Sequence, residues 1–588
     1  MKKGAKVGVI LLVLVLLVVV AVAAIAGIVW MNRETVPGTT IVEMDFHQEI
    51  AEYIPTNDPI AQLLREKTPT TLRIVEALHQ AAQDNKVVGL VARVGNPHMG
   101  LAQIEEIREA VLAFRESGKP AIAWADTFGE FGPGNGGYYL ATAFDKIYIQ
   151  PSGDVGLTGL MLEGQFLRGT FDKLDMVPRM DHRYEYKAAM NIYTETEFTE
   201  AHEESLRTVM DSIFDQIVSA IAEARGLTDA EVRTTIDGGP IYGAEAVDAG
   251  LVDGLLYRDE VYQTVRDEVG DEDAEFLHLT KYRSRAGGPW SEGETVALIY
   301  GVGLVTRGSS GFNPLFGQTM GSDTLTQAFR DAIADEDVQA ILFRVDSPGG
   351  SYVASDSIWR EVVRAREAGK PVIVSMGNVA GSGGYFVSIP ANKIVAQPST
   401  ITASIGVLAG KILDTGLWAK LGISFDEVHT SASSTQFNAR HDYTEPQWER
   451  FQVWLDRVYE DFTTKVAEGR ELPKDRVLEI AKGRIWTGAD ALDLGLVDEL
   501  GGFEVALRLV REEAEMDADA EIRLKAFPRP MSPFEAFTSK GRDSSEPARA
   551  MVAAVLQVAQ PAARLARRLG LVEEPPATLA MPEVELQY

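Results

Sequence analysis

Residues 136–159 (GGYYLATAFDKIYIQPSGDVGLTG) align without a gap with residues 383–406 (GGYFVSIPANKIVAQPSTITASIG), and nine of the 24 positions are identical. The offset is 247. Other segments repeat in the same order. GAEAVDAGLVDGL (243–255) answers GADALDLGLVDEL (488–500), and DNKVVGLVARV (84–94) answers DEDVQAILFRV (335–345). Self-similarity in one order along a chain means duplication of a whole folding unit rather than a shared motif. The 588 residues are also too many for one ordinary hydrophobic core. Two tandem units are therefore expected, over 38–285 and 291–525, joined by the Gly- and Ser-containing stretch around Tyr282–Glu294.

Within each unit, strand-like and helix-like segments alternate. VQAILFRV (338–345) and PVIVSMG (371–377) are short β-branched runs of the kind buried on both faces of a sheet. Between them, SDSIWREVVRAREAGK (355–370) has helical spacing and meets a stop at Gly369 and Pro371; residues 453–470 read as a second amphipathic helix. Strand, helix, strand at this spacing implies right-handed crossovers and a largely parallel sheet, so the fold class is α/β.

The ends carry different signals. Lys2, Lys3 and Lys6 precede 24 uncharged residues, Val7–Trp30, followed by Arg33 and Glu34. As a helix the run spans roughly 36 Å, enough to cross a hydrocarbon core of about 30 Å. Its basic flank predicts a cytoplasmic tip (1–32 with the anchor) and exported catalytic units. A cleaved signal peptide is the rival, with small residues at Ala21–Gly27, but its apolar region is normally about 7–15 residues. Residues 526–588 form a tail with proline-rich pieces around a possible amphipathic helix, Ala548–Leu569, and no readable role. The net charge of −30 argues against a nucleic-acid partner. The chain has no cysteine, which excludes thiol catalysis and disulfides. Eight scattered histidines and the lack of HExxH or GxxxxGK[ST] patterns imply no metal and no cofactor.

Two glycine-rich turns carry the chemistry. VDSPGGS (345–351) closes a buried strand with Gly349 and Gly350, a turn that can leave backbone N–H groups open to a carbonyl oxygen. The next strand leads into NVAGSGGYF (378–386), with Ser382 among glycines at what reads as a helix start. A lone Gly-Ser-Gly-Gly is usually only a turn. Two such elements ending adjacent parallel strands read better as nucleophile and oxyanion hole, built from Gly349 or Gly350 with Gly383, at the sheet end where α/β proteins bind ligands.

DSPGG, GSGGY and TASIG (402–406), on a duplicated α/β chain behind an apolar N-terminal run, resemble the long form of signal peptide peptidase A (protease IV) over about residues 40–510. The resemblance implies a Clp protease/crotonase-like fold in each half. It also implies a membrane-bound serine endopeptidase that cleaves signal-peptide remnants with a serine–lysine dyad, a homotetramer, and residence in the bacterial inner membrane. It puts the nucleophile on Ser382 and the lysine on Lys187, in RYEYKAAMN (183–191), with Ser404 orienting the lysine; Ser399 and Thr402 are nearby alternatives. A lysine can take a serine's proton only when neutral, which calls for desolvation. Tyr184, Tyr186, Ala188, Ala189 and Met190 fit partly apolar surroundings, and strand alternation is expected to turn Glu185 to the opposite face.

The duplication supplies a control. At the offset of 247, Ser382 answers Asn135, Ser404 answers Leu157, and Lys187 answers Ser434, while Gly349–Gly350 fall on His98–Met99 of VGNPHMG. One complete dyad is left, and it needs both halves. Rival bases are His429 and His441, which follow Ser382 in the order of a Ser-His triad, then Lys411 and Lys393. His429 has a repeat partner, His182, and Lys393 has Lys146, which points to packing roles. An inactive peptide-binding scaffold on the membrane is the alternative of a different class. The loop 307–322, Gly-rich yet bearing Phe312, Leu315, Phe316 and Met320, is expected near the mouth of the site.

Overall fold

A computed structural model of the chain describes residues 35–55, 68–313, 317–529, 579–580 and 586–587. The apolar run Val7–Trp30 and the segment Ala548–Leu569 lie outside the described residues. Among the described residues no helix is long and apolar enough to cross a membrane.

Each half is built on a parallel sheet, and the strand order is the same in both. The first runs Glu275–His278, Thr40–Asp45, Val87–Arg93, Ala121–Ala125, Lys146–Ile149, Gly254–Leu255. The second runs Ile522–Phe527, Glu294–Val302, Val338–Ser347, Val372–Gly381, Lys393–Ala396, Glu499–Leu500. Its last long strand thus ends two residues past the boundary expected at 525. The two central strands of the second sheet are longer than their counterparts. Beyond Lys393–Ala396, Val372–Gly381 goes on to pair with Ile401–Ala403, which carries the antiparallel Ile485–Thr487.

The helices follow the expected signals with shifted ends. Tyr352–Glu367 starts at Ser351, whose hydroxyl accepts from Ala354 N, and it is closed by Gly369 in a left-handed conformation. The helix expected at 453–470 begins earlier, as Glu445–Gly469, because Thr444 and Gln447 form a capping box with Pro446 in the first turn.

Three joints hold the halves together. The first is apolar. Alternation along Glu294–Val302 sends Val296 and Leu298 into one cluster and Ala297 and Ile299 into another. The former cluster is continuous with the core of the first half, and Ala340, Leu342, Phe503 and Leu507 join it from the second. The second joint is polar and dry. Arg344, with no exposed surface, donates to Glu52 and Glu106 of the first half and to Ser375 of its own, each at 2.7 Å. The third is a β-ladder: Val177–Arg183 from the first half runs antiparallel to Val407–Leu413 from the second, Arg183 opposite Val407.

Candidate active site

Val372–Gly381 ends at Ser382, which caps the helix Gly383–Ser388. A single residue turns the chain from strand to helix, and it does so at φ 53°, ψ −109°. That region is costly for a residue with a side chain, on the order of 1–3 kcal/mol, and it persists where the surroundings over-determine it. Here Ser382 N donates to Ala403 O at 2.7 Å and Ser382 O accepts from Phe386 N at 2.8 Å. Ala403 and Ser404 are themselves left-handed, φ 62° and 50°. Three strained residues on two neighbouring turns fix the hydroxyl.

Lys187 reaches this hydroxyl from the other half. The ladder ends at Arg183; then the chain turns through Tyr184 (φ 51°) and a short 3-10 segment starts at Ala188. Glu185 faces Lys482 at 3.6 Å on the surface. It does point away from the site, but because residues 184–187 form a turn; the strand alternation expected there is not present. Tyr186 donates to Glu204 at 2.8 Å and carries the Arg484 guanidinium over its ring, which pins the turn to the second half.

Lys187 Nζ lies 2.8 Å from Ser382 Oγ, 2.8 Å from Ser404 O and 3.0 Å from Ser404 Oγ. Lys187, Ser382 and Ser404 have no exposed surface. Burial holds the lysine amine well below the usual lysine range. A neutral amine has two N–H donors and one lone pair. Three oxygen neighbours match that count: Ser404 O and Oγ accept, and the Ser382 hydroxyl donates to nitrogen. The Ser404 hydroxyl can in turn donate to Gly483 O at 3.4 Å.

The other expected hydroxyls are used elsewhere: Ser399 donates to Glu105 at 2.6 Å and Thr402 to Ala380 O at 2.8 Å. His429 and His441 are half-exposed beside Glu427, and Lys411 donates to the carbonyls of Gln436 and Asn438. Of the glycines, Gly349 N–H is taken by the Ser347 hydroxyl at 3.2 Å. Gly383 adjoins Gly350: a Cβ placed on Gly383 would come within 3.1 Å of Gly350 N and Gly349 Cα. In the 307–322 loop, Met320 is a core residue, buried under the second sheet, and Leu315 and Phe316 lie outside the described residues. Gly317–Gly321 pairs with Leu304–Thr306, which pairs with Gly349–Gly350, so the segment is a sheet neighbour of the glycine turn.

Sequence reading missed Gly483. It is left-handed (φ +84°) and packs against the main chain of Lys187, where a Cβ would fall 2.5–2.6 Å from Lys187 Cβ, Cα and N. A signal was available, since Gly483 answers Gly238 ahead of the repeated GAEAVD/GADALD segment. Among the described residues no group of three His, Cys, Asp or Glu side chains is placed to hold a metal ion.

Two segments of the chain, 113–271 and 364–517, match the model of peptidase family S49, one in each half. The chain is 32% identical to Protease 4 of Salmonella typhi over 455 residues, covering 75% of this chain and 72% of that one. It is 30% identical to the chloroplastic serine protease SPPA of Arabidopsis thaliana over 466 residues, 78% and 68% of the two chains. Protease 4 of Haemophilus influenzae is 28% identical over 496 residues. With a family segment in each half and relatives matched across both, the chain belongs to peptidase family S49, in its long, duplicated form.

Proposed function

We propose that this chain is a serine endopeptidase in which Ser382 is the nucleophile, Lys187 the general base and Ser404 the residue that orients the lysine. The observation that carries the reading is the 2.8 Å approach of Lys187 Nζ to Ser382 Oγ in a site without solvent. Attack of Oγ on a peptide carbonyl carbon passes the hydroxyl proton to Nζ; the resulting ammonium hands it to the departing amine, leaving an acyl-enzyme. The same nitrogen then takes a proton from the water that releases the acyl group. The oxyanion is received by backbone N–H groups, with Gly350 and Gly383 better candidates than Gly349, whose N–H already has a partner. Desolvation is what makes lysine usable here, because a solvated ammonium has no lone pair to offer.

The substrates fit peptides left in the membrane after export. The basic flank and apolar run at Lys2–Trp30 favour an anchor in the bacterial inner membrane, with units 38–285 and 291–525 on the extracytoplasmic side. A homotetramer is in keeping with the joint between the halves, which uses unlike surfaces. By the repeat offset, Val177–Arg183 answers residues 424–430, where Phe425 and Val428 are exposed. The test is direct. Ser382→Ala, purified and shown to be folded, should lose peptidase activity and labelling by an active-site serine probe. Residual activity above a few per cent would assign the work to another serine.

A further inference from the structure

The segment near residue 580, without a role in the sequence reading, returns to the site. Leu579–Ala580 pairs antiparallel with Gly349–Gly350, Leu579 opposite Gly350 and Ala580 opposite Gly349. It is the outer strand of the small sheet formed by Gly311–Asn313, Gly317–Gly321, Leu304–Thr306 and Gly349–Gly350. It also lies within 8 Å, Cα to Cα, of Val407–Leu413, the strand that brings Lys187 in. Six residues on, Leu586–Gln587 pairs antiparallel with Met161–Leu162 of the first half. The segment therefore has one strand on each half of the molecule.

Gly349–Gly350 is an edge beside the nucleophile, since Gly383, the residue after Ser382, packs against both glycines. An unpaired edge of glycines offers backbone N–H and C=O groups to any extended chain, the basis of recognition by strand addition. A peptide on that edge runs its main chain past Ser382. The occupant seen there has a matching sequence: PPATLAMP (575–582) is uncharged in a strongly acidic chain, and Pro582 biases Met581 to extended backbone.

We propose that the Gly349–Gly350 edge is the docking strand for extended peptides, and that the chain's own Leu579–Ala580 segment is its resident occupant, competing with substrate. The proposal takes the Ser382–Lys187 site from the functional reading above, and its test separates the two. In the full chain, Leu579→Pro with Ala580→Pro removes the N–H groups of both paired residues. KM for a short fluorogenic peptide should fall by at least about threefold, with kcat unchanged, because a tethered competitor acts at an effective concentration set by its linker. Added in trans, the synthetic peptide ATLAMPEVELQY (577–588) should inhibit this variant competitively. Cleavage of that peptide by the wild-type protein but not by Ser382→Ala would equally support occupancy of the cleft. The binding arm needs no catalysis: a fluorescent form of the peptide should bind Ser382→Ala protein that also carries the two prolines. Unchanged KM together with no peptide binding would overturn the proposal, while an active Ser382→Ala would overturn the dyad and leave the binding result standing.

Discussion

Arg183 stands opposite Val407 on the last rung of the ladder between the halves, four residues before Lys187 and three after Ser404. That register decides where the amine goes. A slip of one residue would turn every side chain of the ladder to the other face. The bond Gly483 N to Ile405 O (2.8 Å) and the bond Ser404 N to Arg484 O (2.9 Å) close the same corner from a third segment.

Gly483→Ala should disable the site while leaving the fold largely intact. The new Cβ would overlap the Lys187 main chain at 2.5–2.6 Å, and alanine is strained at φ +84°. Lys187 has to move, and a misplacement of about 1 Å costs roughly 100-fold in rate. Gly238→Ala, the repeat counterpart, is the control, because a Cβ there meets nothing nearer than 3.6 Å at ordinary φ. Comparing kcat/KM and Tm of the two variants checks this; equal loss in both would sink it.

The pH dependence follows from the buried amine. Its folded pKa lies well below the lysine value, so the ammonium form dominates only at lower pH. The kcat/KM profile should rise with pH through that pKa and level off above it. Stability has the same sign. Between the folded pKa and about 10.4 the unfolded chain holds the extra proton, so stability increases with pH by about 1.4 kcal/mol per unit. Lys187→Met lacks this contribution, and the stability difference, wild type minus variant, should grow as pH rises across the window. Parallel pH series of Tm would reveal a flat difference if the amine were solvated.

Arg344→Met should be strongly destabilising. It leaves Glu52 and Glu106 buried without their cation, a loss of roughly 3–5 kcal/mol for a broken interior ion pair. Because the carboxylates belong to one half and the arginine to the other, activity should fall with stability. Adding Glu52→Gln and Glu106→Gln should restore much of the loss; denaturant titration with an activity readout measures both.

Glu109→Gln should stabilise the chain, more so at high pH. Burial pushes this carboxyl up to about 8, although Gln397 Nε2 and Gly502 N both donate to it from the other half at 3.1 Å. With its folded pKa above the unfolded value, its stabilising contribution is complete below pH ~4.5 and is lost as pH rises through about 8. The gain from glutamine, which needs no proton, should therefore grow between pH 5 and 8 and then level off. A Tm gain independent of pH would contradict the assignment.

Much of this architecture could be read from residues alone because the duplication is written in contiguous words. β-branched runs gave the central strands, and DSPGGS and AGSGG sit at the strand ends where the structure has turns. What could not be read depends on neighbours distant in sequence. VPRMDHR and VLAGKIL carry no mark that they pair across 230 residues. Arg93 and Arg344 occupy equivalent places in the repeat. Yet Arg93 is about one-third exposed beside Asp126, whereas Arg344 is sealed between the halves. The pairing of Lys187 with its serine needed a family resemblance, for composition alone does not distinguish it from a surface lysine.

Lys187 and Ser382 are 195 residues apart. During synthesis at about 5–20 residues per second, the amine exists for roughly 10–40 s before its serine is made. Gly483, against which the lysine packs, comes later still. A growing chain on the ribosome is thus harmless to its surroundings without any removable inhibitory segment, because peptidase chemistry cannot begin until both halves have been translated and docked.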